Sequence, residues 1–262
     1  MFRLIGLMVF AGLMMVSAPR AQADDGKTLA SIDLTGPFKT RSPWRFTATQ
    51  GLSVADPATG DTAPGAIRLC LSHDGVRNCD PAAGLAMRVN GQEDLFSEPH
   101  FLDRVSIEHP AADRPLLFVR IGSFLSGDGG QRVATLVYRY DAAGDRFVVA
   151  YQYQTGHNNN EEVRYVADGP MRGTIISAEP TEDAPYGFWV TVNRLDANGN
   201  YKSVLHYRSA THYGDGNPLA VIDSEMPNLE ARMGLWRPGR PLPLPPESCL
   251  RPHLVHKELW CQ

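Results

Sequence analysis

The sequence predicts a mainly β fold, an antiparallel sandwich or barrel-like sheet with one short helix. Three observations lead there. Runs of β-branched and aromatic residues recur along the chain and end at Gly, Pro, Asn or Asp. The 24 glycines and 20 prolines are spread between these runs and form no low-complexity block. The segment Phe147-Val-Val-Ala-Tyr151-Gln-Tyr153 alternates with period two, which predicts Phe147, Val149, Tyr151 and Tyr153 on one face of a half-buried strand.

Residues 1–23 read as a secretory signal peptide. Arg3 supplies a short positive region, Leu4 to Ala18 an apolar stretch, and Ala21-Gln22-Ala23 a small-x-small cleavage signal. The apolar stretch is short for a membrane span, which needs about 20 residues. Cleavage after Ala23 is expected to leave 24–262 as a single β-rich domain, periplasmic or secreted, with no membrane insertion. The first cysteine is Cys70, so no lipid-attachment cysteine stands at the cleavage site, and no twin arginine precedes the apolar stretch. Loss of Arg3 and Arg20 lowers Lys+Arg from 25 to 23 against 29 Asp+Glu, moving the net charge from −4 to −6. That balance argues against a nucleic-acid partner, which would need a basic face.

Strands are expected near 29–34, 44–48, 66–72, 84–89 and 101–108. A denser series is expected near 115–122, 132–140, 146–153, 162–167, 173–179, 186–195, 200–208 and 219–223. Ala55 to Gly65 reads as an exposed loop. Pro227-Asn-Leu-Glu-Ala-Arg-Met-Gly234 has proline at its start and glycine at its end, the asymmetry of a short helix. Residues 237–262 read as a proline-rich, disulfide-closed C-terminal strap, because Pro238 to Pro246 cannot form a central strand.

Four cysteines in an exported chain predict two disulfides. Asp74-Gly75 is a preferred two-residue hairpin turn. Counting outward from it pairs His73 with Val76, Ser72 with Arg77, Leu71 with Asn78 and Cys70 with Cys79. The cysteines then form a non-hydrogen-bonded pair about 4.5 Å apart at Cα, within disulfide reach. Cys249 and Cys261 pair by default. Neither pair has the C-x2-C spacing of a zinc site.

One internal repeat is visible. Arg139-Tyr-Asp141-Ala-Ala-Gly144-Asp145 resembles Arg194-Leu-Asp196-Ala-Asn-Gly199-Asn200, each at the junction of two long strands. Four-stranded units near 115–167 and 173–223 follow from this, and a propeller-like repeat is the alternative to the sandwich. The bland explanation is shared turn chemistry, and no third copy is evident.

Candidate function is sparse. All nine tyrosines lie between Tyr138 and Tyr213, together with Trp189, so a binding face would lie in this half. The candidates are Tyr151, Tyr153 and Trp189, with His157, Asn159 and Glu161 from the polar loop after the tyrosine strand. The competing reading is that tyrosine simply fills half-buried sheet positions. Asp196-x-Asn198-x-Asn200 begins like a calcium loop, but Tyr201 and Tyr207 replace its required glycine and glutamate. His206, His212 and Asp215 form a weak metal or acid–base group. No G-x-S-x-G elbow, H-E-x-x-H, Walker loop or dinucleotide fingerprint occurs, so no catalytic residue, metal or cofactor is assigned. The expectation is an exported binding module for a glycan or protein partner. The alternatives are a glycan-active hydrolase or lyase using paired carboxylates, and an envelope structural or inhibitor protein.

Overall fold

The computed structural model describes residues 26–56, 59–79, 86–89, 92–96, 98–124, 131–156, 161–184, 186–212, 216–243 and 249–261. The expected leader, residues 1–23, lies outside them.

Three four-stranded antiparallel meanders dominate. The first contains β1 (Lys27–Asp33), β2 (Trp44–Gln50), β5 (Ile67–His73) and β6 (Val76–Cys79). A one-turn helix, α1 (Thr35–Phe38), bridges β1 and β2, and a small hairpin of β3 (Val54–Ala55) and β4 (Thr62–Ala63) interrupts the stretch read as a loop. β7 (Ala86–Val89) and β8 (Gln92–Leu95) form a separate ribbon. The second meander is β9 (Phe101–Ala111), β10 (Arg114–Gly122), β11 (Arg132–Asp141) and β12 (Arg146–Gly156). The third is β13 (Glu162–Tyr165), β14 (Ile175–Pro180), β15 (Gly187–Leu195) and β16 (Tyr201–His212). Then come α2 (Val221–Arg232) and a C-terminal hairpin of β17 (His253–Val255) and β18 (Glu258–Trp260).

The sheets stack face to face. Phe46 and Leu69 of the first sheet pack with Leu117, Val119, Ile121 and Leu136 of the second. The other face of the second sheet, with Leu116, Phe118 and Val137, packs on Ile175 and Tyr201 of the third. The far face of the third sheet, with Ile176, Phe188, Val190 and Val192, is covered by Val221, Ile222 and Leu229 around α2. This order explains the unbroken apolar run Leu116-Leu-Phe-Val119: a strand in a middle layer buries both its faces. A helix, not a fourth sheet, covers the third sheet's far face, so the described units form an open, sandwich-like stack.

Both segments of the repeat are hairpin turns, and the four-stranded units lie one strand away from the expected frame. Residues 162–165 begin the third sheet and do not end the second. The Asp141–Asp145 and Asp196–Asn200 turns both join the third and fourth strands of a meander. Asp74-Gly75 also joins the third and fourth strands of its sheet, but as a two-residue turn without the repeated motif.

The expected hairpin register holds, with Cys70 opposite Cys79 and His73 opposite Val76. Asp74 and Gly75 have φ of 47° and 77°, the positive values such a turn requires. Cys70–Cys79 and Cys249–Cys261 are both bonded, with Cα separations of 4.0 and 5.4 Å. These bridges fit an oxidising, extracytoplasmic compartment.

Two expectations fail. The segment 219–223, read as a strand, leads into α2, and Pro227 sits inside that helix, not at its start. Inside a helix a proline removes the N–H that would reach the Asp223 carbonyl and crowds that carbonyl with its ring, so this helix forms against local preference. The start is fixed from outside: Ala220 has no capping side chain, and Glu162 Oε2 accepts the Ile222 amide at 2.9 Å. The period-two reading of β12 fails as well. Val137 faces Tyr151 while Tyr138 faces Val149, so Ala150 is a bulge residue. The bulge flips the alternation. Phe147 packs toward the first sheet, and Tyr151 packs toward the third.

Candidate functional site

The bulge at Ala150 aims Tyr151 and Tyr153 into the seam between the second and third sheets. Tyr151 stacks on Tyr153 with centroids 6.2 Å apart and meets the edge of Tyr201 at 5.8 Å. The Tyr153 hydroxyl donates to Glu179 Oε2 at 2.6 Å. Burial pushes both phenols far above their ordinary range, and the Glu179 carboxylate pushes Tyr153 further. Both therefore stay protonated.

Glu179 sits directly across from Trp189 in the β14–β15 register, so the two side chains share a face. The Trp189 ring lies nearly parallel to the His206 imidazole, with centroids 5.0 Å apart and planes 13° apart. A hydrogen bond of 2.9 Å between His206 Nδ1 and Thr191 Oγ1 orients that imidazole. Arg208 stands opposite Trp189 and donates to the Asp183 carbonyl at 2.7 Å. The result is a continuous row, Tyr153–Glu179–Trp189–His206, running from inside the seam to solvent. Trp189 is half-buried and His206 is exposed.

Glu161 lies elsewhere along the seam. It accepts the Gly156 amide, and it lines a cleft of about 260 Å³ with Arg104, Phe118, Arg120, Val163 and Tyr165. Phe118 and Tyr165 pack ring on ring at 4.8 Å. The guanidinium groups here are matched by carboxylates: Arg104 with Glu108, Arg120 with Asp103 at 3.2 Å, and Arg164 with Glu162 and Asp223. Glu161 and Glu162 do not face each other. Glu162 turns to Arg164 and the α2 amide, whereas Glu161 reaches Gly156.

The structure thus brings together Tyr151, Tyr153 and Trp189, with Glu179 as the link, and sets Glu161 apart. His157 and Asn159 lie outside the described residues, as does Asp215. The Asp196 Oδ1 accepts the backbone amides of Asn198 and Asn200 and closes its own turn. Sequence reasoning missed Glu179 and Thr191 as partners, because cross-strand neighbours become visible only once register is known. His206 was visible, but its partners are Trp189 and Thr191. No protein-family model, no curated protein and no solved structure matches this chain.

Proposed function

We propose that the chain is an exported, disulfide-stapled binding module of the cell envelope or secreted space, and that it takes a glycan. The observation carrying this reading is the Trp189–His206 stack at the open end of the row, ringed by Glu179, Thr191 and Arg208. A flat aromatic surface offers stacking area to a sugar ring, and nearby carboxylate, hydroxyl and guanidinium groups can engage sugar hydroxyls. Export is supported by the small-x-small signal at Ala21–Ala23 and by the two disulfides. The module reading is preferred to the hydrolase because the exposed end of the row is an aromatic stack.

The test is affinity for a panel of purified polysaccharides and peptidoglycan, read with native protein and Trp189→Ala. The expected result is binding that weakens at least about ten-fold in the variant. Unchanged affinity in Trp189→Ala overturns the site, and release of reducing ends from a bound glycan would favour the hydrolase. Intact mass of the exported protein should match a chain beginning at Asp24, less four hydrogens.

A further inference from the structure

A second cavity lies away from the aromatic row, between α2, the 166–171 loop and Pro243, with a volume of about 560 Å³. Its walls are largely apolar, with Val166, Met171, Met226 and Pro243 prominent. Asp223, Met226 and Glu230 face it from α2, at the i, i+3, i+7 spacing of one helix side. The other side of the helix is occupied: Ile222 and Leu229 are fully buried against the third sheet.

Glu230 is the anomaly. It is only 7% exposed, yet among the described residues no donor reaches its carboxylate. Burial raises its pKa with no opposing interaction. A buried carboxylate is normally paired or hydrogen-bonded. Arg164, the cation lining the same cavity, is already held by Glu162 and Asp223. Asp168 adds a second carboxylate at the exposed mouth.

We propose that this cavity binds a small apolar ligand carrying an ammonium group, with the ammonium against Glu230. The walls match an apolar body. An anionic ligand would meet Glu230 and Asp168, and the one cation among the described lining residues, Arg164, is already paired. A neutral ligand would leave the Glu230 carboxylate without a cation. An ammonium brings both the charge and the donors that this carboxylate lacks. The proposal uses none of the aromatic row, so its failure would leave the glycan reading untouched, and the reverse.

The test is calorimetric titration of the full exported protein at pH 7 with three probes of one shape: 2-phenylethylammonium, 2-phenylethanol and 3-phenylpropanoate. The ammonium should bind at least about ten-fold more tightly than the alcohol, and the carboxylate most weakly. Glu230→Gln should bring ammonium and alcohol within about two-fold of each other. Ala167→Trp, at an exposed position on the cavity wall, should weaken ammonium binding at least about ten-fold while melting like the native protein. Equal affinity for alcohol and ammonium overturns the proposal. So does native-like ammonium binding in either variant, or no binding of the ammonium to the native protein.

Discussion

The Trp44 indole Nε1–H donates to Asp145 Oδ1 at 2.9 Å, joining two sheets through residues 101 positions apart. Asp145 stands at the end of the Asp141–Asp145 turn of the second sheet. The Ser42 hydroxyl donates to its other oxygen, and the Tyr140 hydroxyl donates to Oδ1 at 2.6 Å. The matching turn of the third sheet repeats the device: Arg139 Nε donates to Asn200 Oδ1 at 3.3 Å. In each case the fifth residue of the turn accepts a donor from the preceding sheet, so the repeated motif stitches each layer to the next.

The Asp145 contact makes stability depend on acid. The Ser42 hydrogen bond, then those from Tyr140 and Trp44, hold its pKa at about 2, below the ordinary 3.8. A depressed carboxylate contributes stability that is present above its unfolded pKa and lost as pH falls through the folded one. Urea melts of the native protein should lose stability between about pH 4 and pH 2. Asp145→Asn should melt earlier at pH 7 and show a shallower loss in that window. Superimposable acid profiles for the two proteins would rule out this role.

Gly75 tests the first turn. Its φ is 77°, and an added Cβ would meet nothing within 4 Å, so any cost of substitution is backbone conformation alone. Gly75→Ala should lower stability by about 1–2 kcal/mol, and Gly75→Val by more, because a β-branched residue resists positive φ. The Cys70–Cys79 bond should persist in both when peptides are mapped without reduction. A neutral Gly75→Val would contradict the turn assignment.

The aromatic candidates should separate by thermal melting. Tyr151 is packed among Tyr153, Tyr201 and the inter-sheet core, so Tyr151→Ala should cost about 3–5 kcal/mol. Tyr153→Phe removes only the hydroxyl bonded to Glu179 and should cost about 1.5–3 kcal/mol, as hydrogen bonds to charged groups do. Trp189→Ala, on the open end of the row, should cost clearly less than Tyr151→Ala. Equal large losses at Tyr151 and Trp189 would mean that all the aromatics are core.

Much of this architecture was legible in the residues. Asp74-Gly75 carried its own geometry, and a hairpin centred there had to place Cys70 opposite Cys79. Strand positions followed from β-branched runs broken by turn formers. The bulge at Ala150 was not legible, since one extra residue in an alternating run leaves no compositional mark while reversing every side chain beyond it. The start of α2 was hidden because Val221-Ile222 favours strand locally, and its capping acceptor, Glu162, is remote in sequence. The partner of Tyr153 depends on how two sheets stack, and those of Trp189 on strand register, neither of which a local pattern encodes. The Asp223–Met226–Glu230 spacing was readable, but only the position of the helix makes it a cavity wall.

Two buried glutamates on α2 should respond to substitution with opposite signs. Glu225 is fully buried and accepts from the Tyr207 hydroxyl at 2.8 Å, the Thr211 amide and hydroxyl at 3.1 and 2.9 Å, and the Asn228 amide at 2.9 Å. It ties the helix to β16, and Arg232 lies over the Tyr207 ring at 4.2 Å. Glu225→Gln replaces one acceptor oxygen by an NH2 that faces two donors, and it should cost about 3 kcal/mol. Glu230 is also buried, but its raised pKa has desolvation as its only cause. A carboxylate with a raised folded pKa favours the native state below its unfolded value, here 4.5, and that advantage is lost as pH rises through the folded value. Glu230→Gln should therefore raise the melting temperature at pH 7 and leave it nearly unchanged at pH 4. The paired melts decide the matter at both positions. A stabilised Glu225→Gln would break the account of the helix–sheet tie, and a destabilised Glu230→Gln at pH 7 would mean that its carboxylate already has a partner.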